Sequence, residues 1–427
     1  MKVRITVAAL SLLTILATNP ALGQAGSLDP TFGSGGIVIT NFGVNENNFE
    51  FVDAALAPNG DIVVAGTVSM AAEGEPTSND IIRYLPSGAL DPSFGTGGIE
   101  TLAAPFFASP FGVLSVQAND QILVLTQVEV NGVLEVALER LNTNGQLDPT
   151  FGSGGVVITN FPAPPNEAAS PNLVLAQPDG KILLAGEATP NFRSNATPET
   201  ILARYLSTGA LDTTFGSGGI VTAPAIGTPS LLAVLSGDGI LVSSGGTPEQ
   251  FTSTGTLVAT PTGGSVIAVK VTGATTFQPN SDFLITGAVR GPFGKTNDDS
   301  IVERFLVNGT LDSTFSSPDI TFGPNGVEVN SLTGAIAVDS QGRVIVGGIF
   351  ESGSNDQWGL ARVTSTGALD TTFGTGGTVT TSVGLEGTIS LLLIQPNNEI
   401  VAVGEVQVSK NTDSTMEDLA LARYLAQ

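Results

Sequence analysis

Apolar residues come along this chain in runs of four to six, separated by clusters of Gly, Pro, Asn and Asp. Between Val156 and Leu206 the pattern predicts four short strands: residues 156–161, 173–177, 181–185 and 201–206. Pro178-Asp179-Gly180 stands between the second and third as a hairpin turn. The same device returns as Pro58-Asn59-Gly60 before residues 61–65, and as Gln341-Gly342 before residues 343–347. The one longer apolar run, Ile5 to Ala17, follows Lys2 and Arg4 and precedes the small residues Ala21-Leu22-Gly23. That order predicts a signal peptide over 1–23 and one mature domain over 24–427, exported to the periplasm, the cell surface or beyond. The run is too short for a spanning helix, so no membrane span is expected.

The strand pattern is periodic. Leu-Asp-x-Thr/Ser-Phe places its phenylalanine at Phe32, Phe94, Phe151, Phe215, Phe315 and Phe373, with gaps of 62, 57, 64, 100 and 58 residues. The gap of 100 hides a worn copy, because residues 250–258 align with 204–212 with Gln250 for arginine and Val258 for aspartate. Seven units of four short strands predict an all-β, seven-bladed β-propeller of four-stranded antiparallel blades. The N-terminal part has Leu28-Asp29-Pro30-Thr31-Phe32 without a preceding Arg-Tyr-Leu, and the C-terminal part ends Ala422-Arg423-Tyr424-Leu425 without the aspartate. The two halves complete one motif, as closure of a ring requires and a capped solenoid does not.

An arginine stands eight residues before each motif aspartate: Arg83/Asp91, Arg140/Asp148, Arg204/Asp212, Arg304/Asp312 and Arg362/Asp370, with Arg423 and Asp29 left to pair across the closure. In the fourth unit both partners are missing together. Losing one member of a buried ion pair costs about 3–5 kcal/mol and losing both is often neutral, so the joint loss predicts structural pairs rather than an anion site. Tyr84, Tyr205 and Tyr424 each follow one of these arginines and read as packing between blades. The glycines after each phenylalanine read as tight-turn positions; no helix or Lys-Ser/Thr follows to make a phosphate loop.

Leu-Asp-x-Thr-Phe-Gly-x-Gly-Gly, then Pro-Asp-Gly-Lys-Ile-Leu-Leu-Ala-Gly and Ala-Arg-Tyr-Leu, resembles the delta-60 repeat, a bacterial β-propeller repeat of unassigned function. The resemblance covers nearly all of the mature chain. It implies an exported propeller and no particular chemistry, so it brings no functional residues with it.

Composition narrows the chemistry. The chain has no histidine and no cysteine, which excludes Ser-His-Asp and Cys-His nucleophiles, His- or Cys-ligated metal sites, and disulfides. Without residues 1–23 there remain 13 Lys and Arg against 39 Asp and Glu, a formal charge of −26. Nucleic acid is therefore not an expected partner. What remains for an enzyme is carboxylate chemistry, Lys, Tyr or an oxygen-ligated metal, and for a hydrolase or lyase Glu100 and Glu328 are the best constellation. Each takes a place after the motif glycines where most units have valine (Val38, Val157, Val221, Val379). If the strand after the glycines lines the central channel, both face it, together with Lys270; two solvated acids in a wet channel are the plainer alternative.

A binding module has better geometry. In antiparallel blades alternate connections emerge on the same face, and here the tight motifs take one set. The variable connections, at residues 70–80, 162–172, 188–200, 290–299 and 409–418, take the other. They carry Glu73, Glu75, Asp80, Asp298, Asp299, Asp413, Glu417 and Asp418. Loops on a rigid scaffold usually carry specificity. The expectation is an exported binding or interaction module for a protein or glycan ligand, with a structural cell-surface component as a further alternative. No cofactor is expected beyond Ca²⁺, for which the Asp298/Asp299 and Glu417/Asp418 pairs are candidates without EF-hand spacing.

Overall fold

The computed structural model describes residues 23–427 apart from 43–46, 71–77, 104–105, 108–112, 131–132, 160, 162–167, 190–198, 225–227, 245–246, 264–265, 272–274, 291–297, 316–319, 323–326, 329–330, 353–354 and 409–416. Seven blades built on a four-stranded antiparallel plan stand in a ring, and the described residues contain no helix. From inside to outside, blade 1 is Asn47–Leu56, Ile62–Met70, Ser78–Tyr84 and Ile99–Thr101. Blade 2 follows with Leu114–Val116, Ile122–Val130, Val133–Leu141 and Val156–Ile158, and blade 3 with Ala168–Ala176, Ile182–Thr189, Glu199–Tyr205 and Ile220–Pro224. Blade 4 has Leu231–Leu235, Ile240–Ser244, Thr247–Phe251 and Leu257–Val258, and blade 6 has Ser331–Val338, Val344–Ser352, Asn355–Val363 and Thr378–Thr381. Blade 7 takes Glu386–Ile394, Ile400–Gln407 and Asp418–Tyr424 from the C-terminal part, and its outermost strand, Ile37–Thr40, from the N-terminal part.

The ring is closed by that last pairing, Ile37 opposite Ala422 and Thr40 opposite Leu419. It also corrects the phase read from the sequence. The strand after the glycines does not open a blade or line the channel. It is the outermost strand of the preceding blade, paired with the Arg-Tyr strand. The reason is local: the motif is a hairpin turn, in which the Asp91 N–H donates to the Arg83 carbonyl and the Arg83 N–H to the Gly98 carbonyl. The shift leaves the parity of the connections unchanged, so tight and variable connections still lie on opposite faces.

Second strands read as unbroken apolar runs because neighbouring blades cover both their sides: Ile62–Ala65 and Ile182–Ala185 are buried residue after residue. The core accordingly lies between blades, one cluster running from Val63 through Val124 to Val174 across blades 1, 2 and 3.

The motif locks neighbouring blades together. Each aspartate accepts the backbone N–H and the hydroxyl of the residue two further on through Oδ1, as Asp148 does from Thr150 at 2.9 and 2.7 Å. This is why threonine or serine stands there. Its Oδ2 accepts the arginine, as in Arg204–Asp212 at 2.8 Å and Arg423–Asp29 at 2.8 Å. The guanidinium lies 4.4–4.8 Å from the centroid of the motif phenylalanine. Its Nη1 reaches a turn carbonyl of the next blade, at Ser207, Ser253, Ser365, Ala426 and Pro86, over 2.6–2.8 Å. The tyrosines do the same: the hydroxyls of Tyr84 and Tyr205 lie 2.6 Å from those of Thr40 and Thr159 in the preceding blade. Gly36 shows why glycine follows, since its φ is +98° and a Cβ there would lie 2.6 Å from that of Leu28.

Blades 4 and 5 depart from the plan. In blade 4 the Gln250 amide oxygen accepts the N–H groups of Thr262 (2.7 Å) and Gly263 (3.1 Å), so a neutral side chain pins the turn that the ion pair pins elsewhere. A fifth strand, Val266–Val271, then pairs with the inner edge of Leu231–Leu235. Among the described residues blade 5 shows three strands, Thr275–Phe277, Phe283–Arg290 and Asp298–Phe305, followed by a hairpin of Thr321–Phe322 with Val327–Glu328.

Candidate functional site

Among the described residues, chemistry-bearing side chains come together in an arrangement on the ring axis and in another at the seam. The axial one is a cavity of about 420 Å³ lined by the innermost strands of six blades and by the extra strand Val266–Val271. Its walls are Ala, Leu, Val and Ile apart from Ser115, Lys270 and Thr276. The extra strand places Lys270 opposite Leu232, and from there the ammonium reaches Asp53 of blade 1, with Nζ 2.6 Å from Oδ2. Both residues are buried. The Asp53 Oδ1 accepts the Ala54 N–H, and Oδ2 also accepts the Leu114 N–H of blade 2 at 2.8 Å. Burial pushes the Asp53 carboxyl above the usual range, opposed by the charge and hydrogen bond of Lys270.

The second arrangement sits where blade 7 meets blade 1, on the face of the variable connections. Glu405, on a second strand, accepts the Phe51 N–H across the seam and is hydrogen-bonded to Glu417. Burial, followed by the neighbouring Glu417 and Glu50, pushes Glu405 up to about 7. Glu417 is raised by burial too, and its carbonyl accepts the Phe49 N–H at 2.8 Å. Asp418 is buried, raised for the same reason, and accepts the Asn41 amide at 3.0 and 3.2 Å. Asp80 occupies a comparable place in blade 1, raised by burial and held by Thr101 and Ser78.

The residues singled out in the sequence scatter. Glu100 lies on an outermost strand opposite Ile81, three strands from the channel it was expected to face, because that strand closes a blade instead of opening one. Glu328 lies in the blade 5 hairpin opposite Thr321. The two are not brought together in the channel with Lys270, which does line it. Asp298 and Asp299 begin the third strand of blade 5, opposite Arg290 and Val289. Glu417 and Asp418 adjoin at the seam. Glu73, Glu75 and Asp413 lie outside the described residues. No group of three or more acidic side chains among the described residues is placed to hold a metal ion. Asp53, Glu50 and Glu405 were missed. Asp53 had a signal, a lone charge inside the apolar run Phe51-Val52-Asp53-Ala54-Ala55-Leu56.

The fold defines the class: a seven-bladed β-propeller whose blades are tied by a repeated Arg–Asp–Phe unit. Four stretches, residues 57–94, 117–151, 177–215 and 340–373, match a family described as a domain of unknown function (DUF5122) beta-propeller, so the repeat is that of a propeller family of unknown function. No curated protein matches the sequence. Among solved structures, the β-propeller domain of the Trilobed protease from Pyrococcus furiosus is similar at 9% identity with a TM-score of 0.44, over 88% of this chain and 95% of that one. The polysaccharide lyase Uly1 gives 9% identity and 0.44 over 95% and 94%. The acylaminoacyl peptidase of Pyrococcus horikoshii gives 10% and 0.43; 84% of this chain is covered, against 49% of the peptidase.

Proposed function

We propose that the protein is an exported binding module whose contact surface is the face of the variable connections. One observation carries the reading: the connections of a blade divide by face. Turns after the innermost strands close tightly, with N–H groups of Ala57, Gln177 and Gln395 donating to the carbonyls of Asp61, Lys181 and Glu399 at 2.8–2.9 Å. The Leu-Asp-x-Thr-Phe turns on the same face are tied into the ion pairs. The connections of the other set share no such motif in sequence or length, and those at residues 70–80 and 409–418 carry several acids. A rigid ring with one face of repeated turns and one of variable connections suits recognition. The acidity suits a basic protein surface or a glycan read by hydrogen bonds, with calcium as a bridging ion to be tried alongside.

The test shortens residues 71–77, 191–198 and 411–416 to Gly-Ser turns and compares variant and parent on a glycan array and on basic protein partners, with and without calcium. The reading expects an unchanged melting temperature and lost binding. Equal binding by the shortened protein defeats it. Export is checked by mass spectrometry of the secreted chain, with Gln24 expected as its first residue.

A further inference from the structure

We propose that the axial cavity binds a small, neutral, largely apolar molecule that presents a carbonyl oxygen to Lys270. The inference concerns the ring axis and is independent of the variable face. An ammonium has three N–H donors. Among the described residues Asp53 is the acceptor Lys270 meets, and it takes one of them. The Lys270 head lines a cavity of about 420 Å³, so its other donors have room for a partner there. Buried donors without acceptors are costly, which favours any occupant that supplies one. Ser115 and Thr276 line the same cavity with hydroxyls, and the Ser115 oxygen is already used in accepting the Ala176 N–H. Lys270 and Ser115 are therefore side-chain donors with hydrogens still to be matched.

Charge selects among acceptors. Asp53 already neutralises Lys270, so a carboxylate ligand would bring an uncompensated charge among Ala54, Leu114, Val116, Leu175, Ala337 and Leu392. A ketone, lactone or amide would not. The position of Lys270 is not left to its flexible side chain alone, because the backbone ladder with Leu231–Leu235 fixes the strand that carries it.

The experiment follows the Ala54 and Ala337 methyl resonances of the full chain while cyclohexanone, methylcyclohexane and cyclohexanecarboxylate are titrated to millimolar concentrations. Cyclohexanone is expected to shift both methyls and to bind about tenfold tighter than methylcyclohexane, the worth of one hydrogen bond. That preference should vanish in Asp53→Asn/Lys270→Met, which keeps the cavity neutral, and Ala337→Leu should abolish binding by filling the space. Methyls unmoved by any probe in the parent protein overturn the proposal. So does a ketone preference that survives without Lys270, or a carboxylate that binds more tightly than the ketone.

Discussion

Burial, and after it the neighbouring Glu417 and Glu50 carboxylates, raise Glu405 to about 7, and its carboxyl joins two blades by accepting the Phe51 N–H. The folded protein keeps the carboxyl proton to higher pH than the unfolded chain, whose glutamates titrate near 4.3. Glu405 therefore contributes stability that is fully present below about pH 4 and is lost as pH rises through 7. The motif aspartates act in the opposite sense. Asp148 resists ionisation through burial, yet Thr150, Gln121 and Arg140 outweigh this and bring it down to about 2, so its contribution is present above pH 4 and lost as pH falls towards 2. Glutamine reproduces a protonated glutamate, with one oxygen to accept the Phe51 N–H and one N–H to offer Glu417. Glu405→Gln is expected to raise stability at pH 8 by about 1–3 kcal/mol and to change little at pH 4.5. Denaturant unfolding at the two pH values measures it, and equal effects at both would contradict the assignment.

The ion pairs belong to the scale of the hairpin and its neighbour. Arg204 and Asp212 are both buried, and the arginine also holds the Ser253 carbonyl of blade 4. Replacing either alone strands a buried charge, at a cost of about 3–5 kcal/mol. Arg204→Gln/Asp212→Val copies the pair at Gln250 and Val258. It is expected to cost well under the sum of the single replacements, with a coupling of about 2 kcal/mol in a double-mutant cycle. Additive costs would mean that the two side chains act separately. These pairs are legible in the sequence because the spacing of eight is that of a hairpin, and because blade 4 lost both members at once. The phase of the blades is harder to see, since a circular repeat has no natural starting strand. Even so, the same hairpin assigns the strand after the glycines to the arginine's own blade, and that is the inference which moves Glu100 to the rim. The axial pair is half legible: Lys270 and Asp53 each interrupt an apolar run. Their meeting depends on a strand inserted between blades 4 and 5, which no local pattern announces. The seam cluster joins residues 50 and 405, from strands of two blades, with residue 417, which immediately precedes the strand Asp418–Tyr424.

For the whole molecule, the closing blade carries the same kinds of bond as its neighbours and differs in its connectivity. Removing residues 422–427 takes away Arg423, Tyr424 and with them the contacts to Asp29, Pro86 and Thr381. The truncated chain is expected to unfold cooperatively at a clearly lower temperature, because blade 1 and blade 6 each lose a neighbour that covers one side. A calorimetric scan in which it melts with the full-length protein would show that the seam bears no weight. The seam also sets an order of events. Ile37 and Ala422 are adjacent across the sheet and nearly the whole chain apart along it. Every other blade can form its pairings from segments made within moments of one another, whereas the strand Ile37–Thr40 has no partner until Asp418–Tyr424 is made, nearly the whole ring later. Until then its exposed edge is open to foreign strands. For this ring the hazardous interval is the wait of Ile37–Thr40 for the strand that closes it.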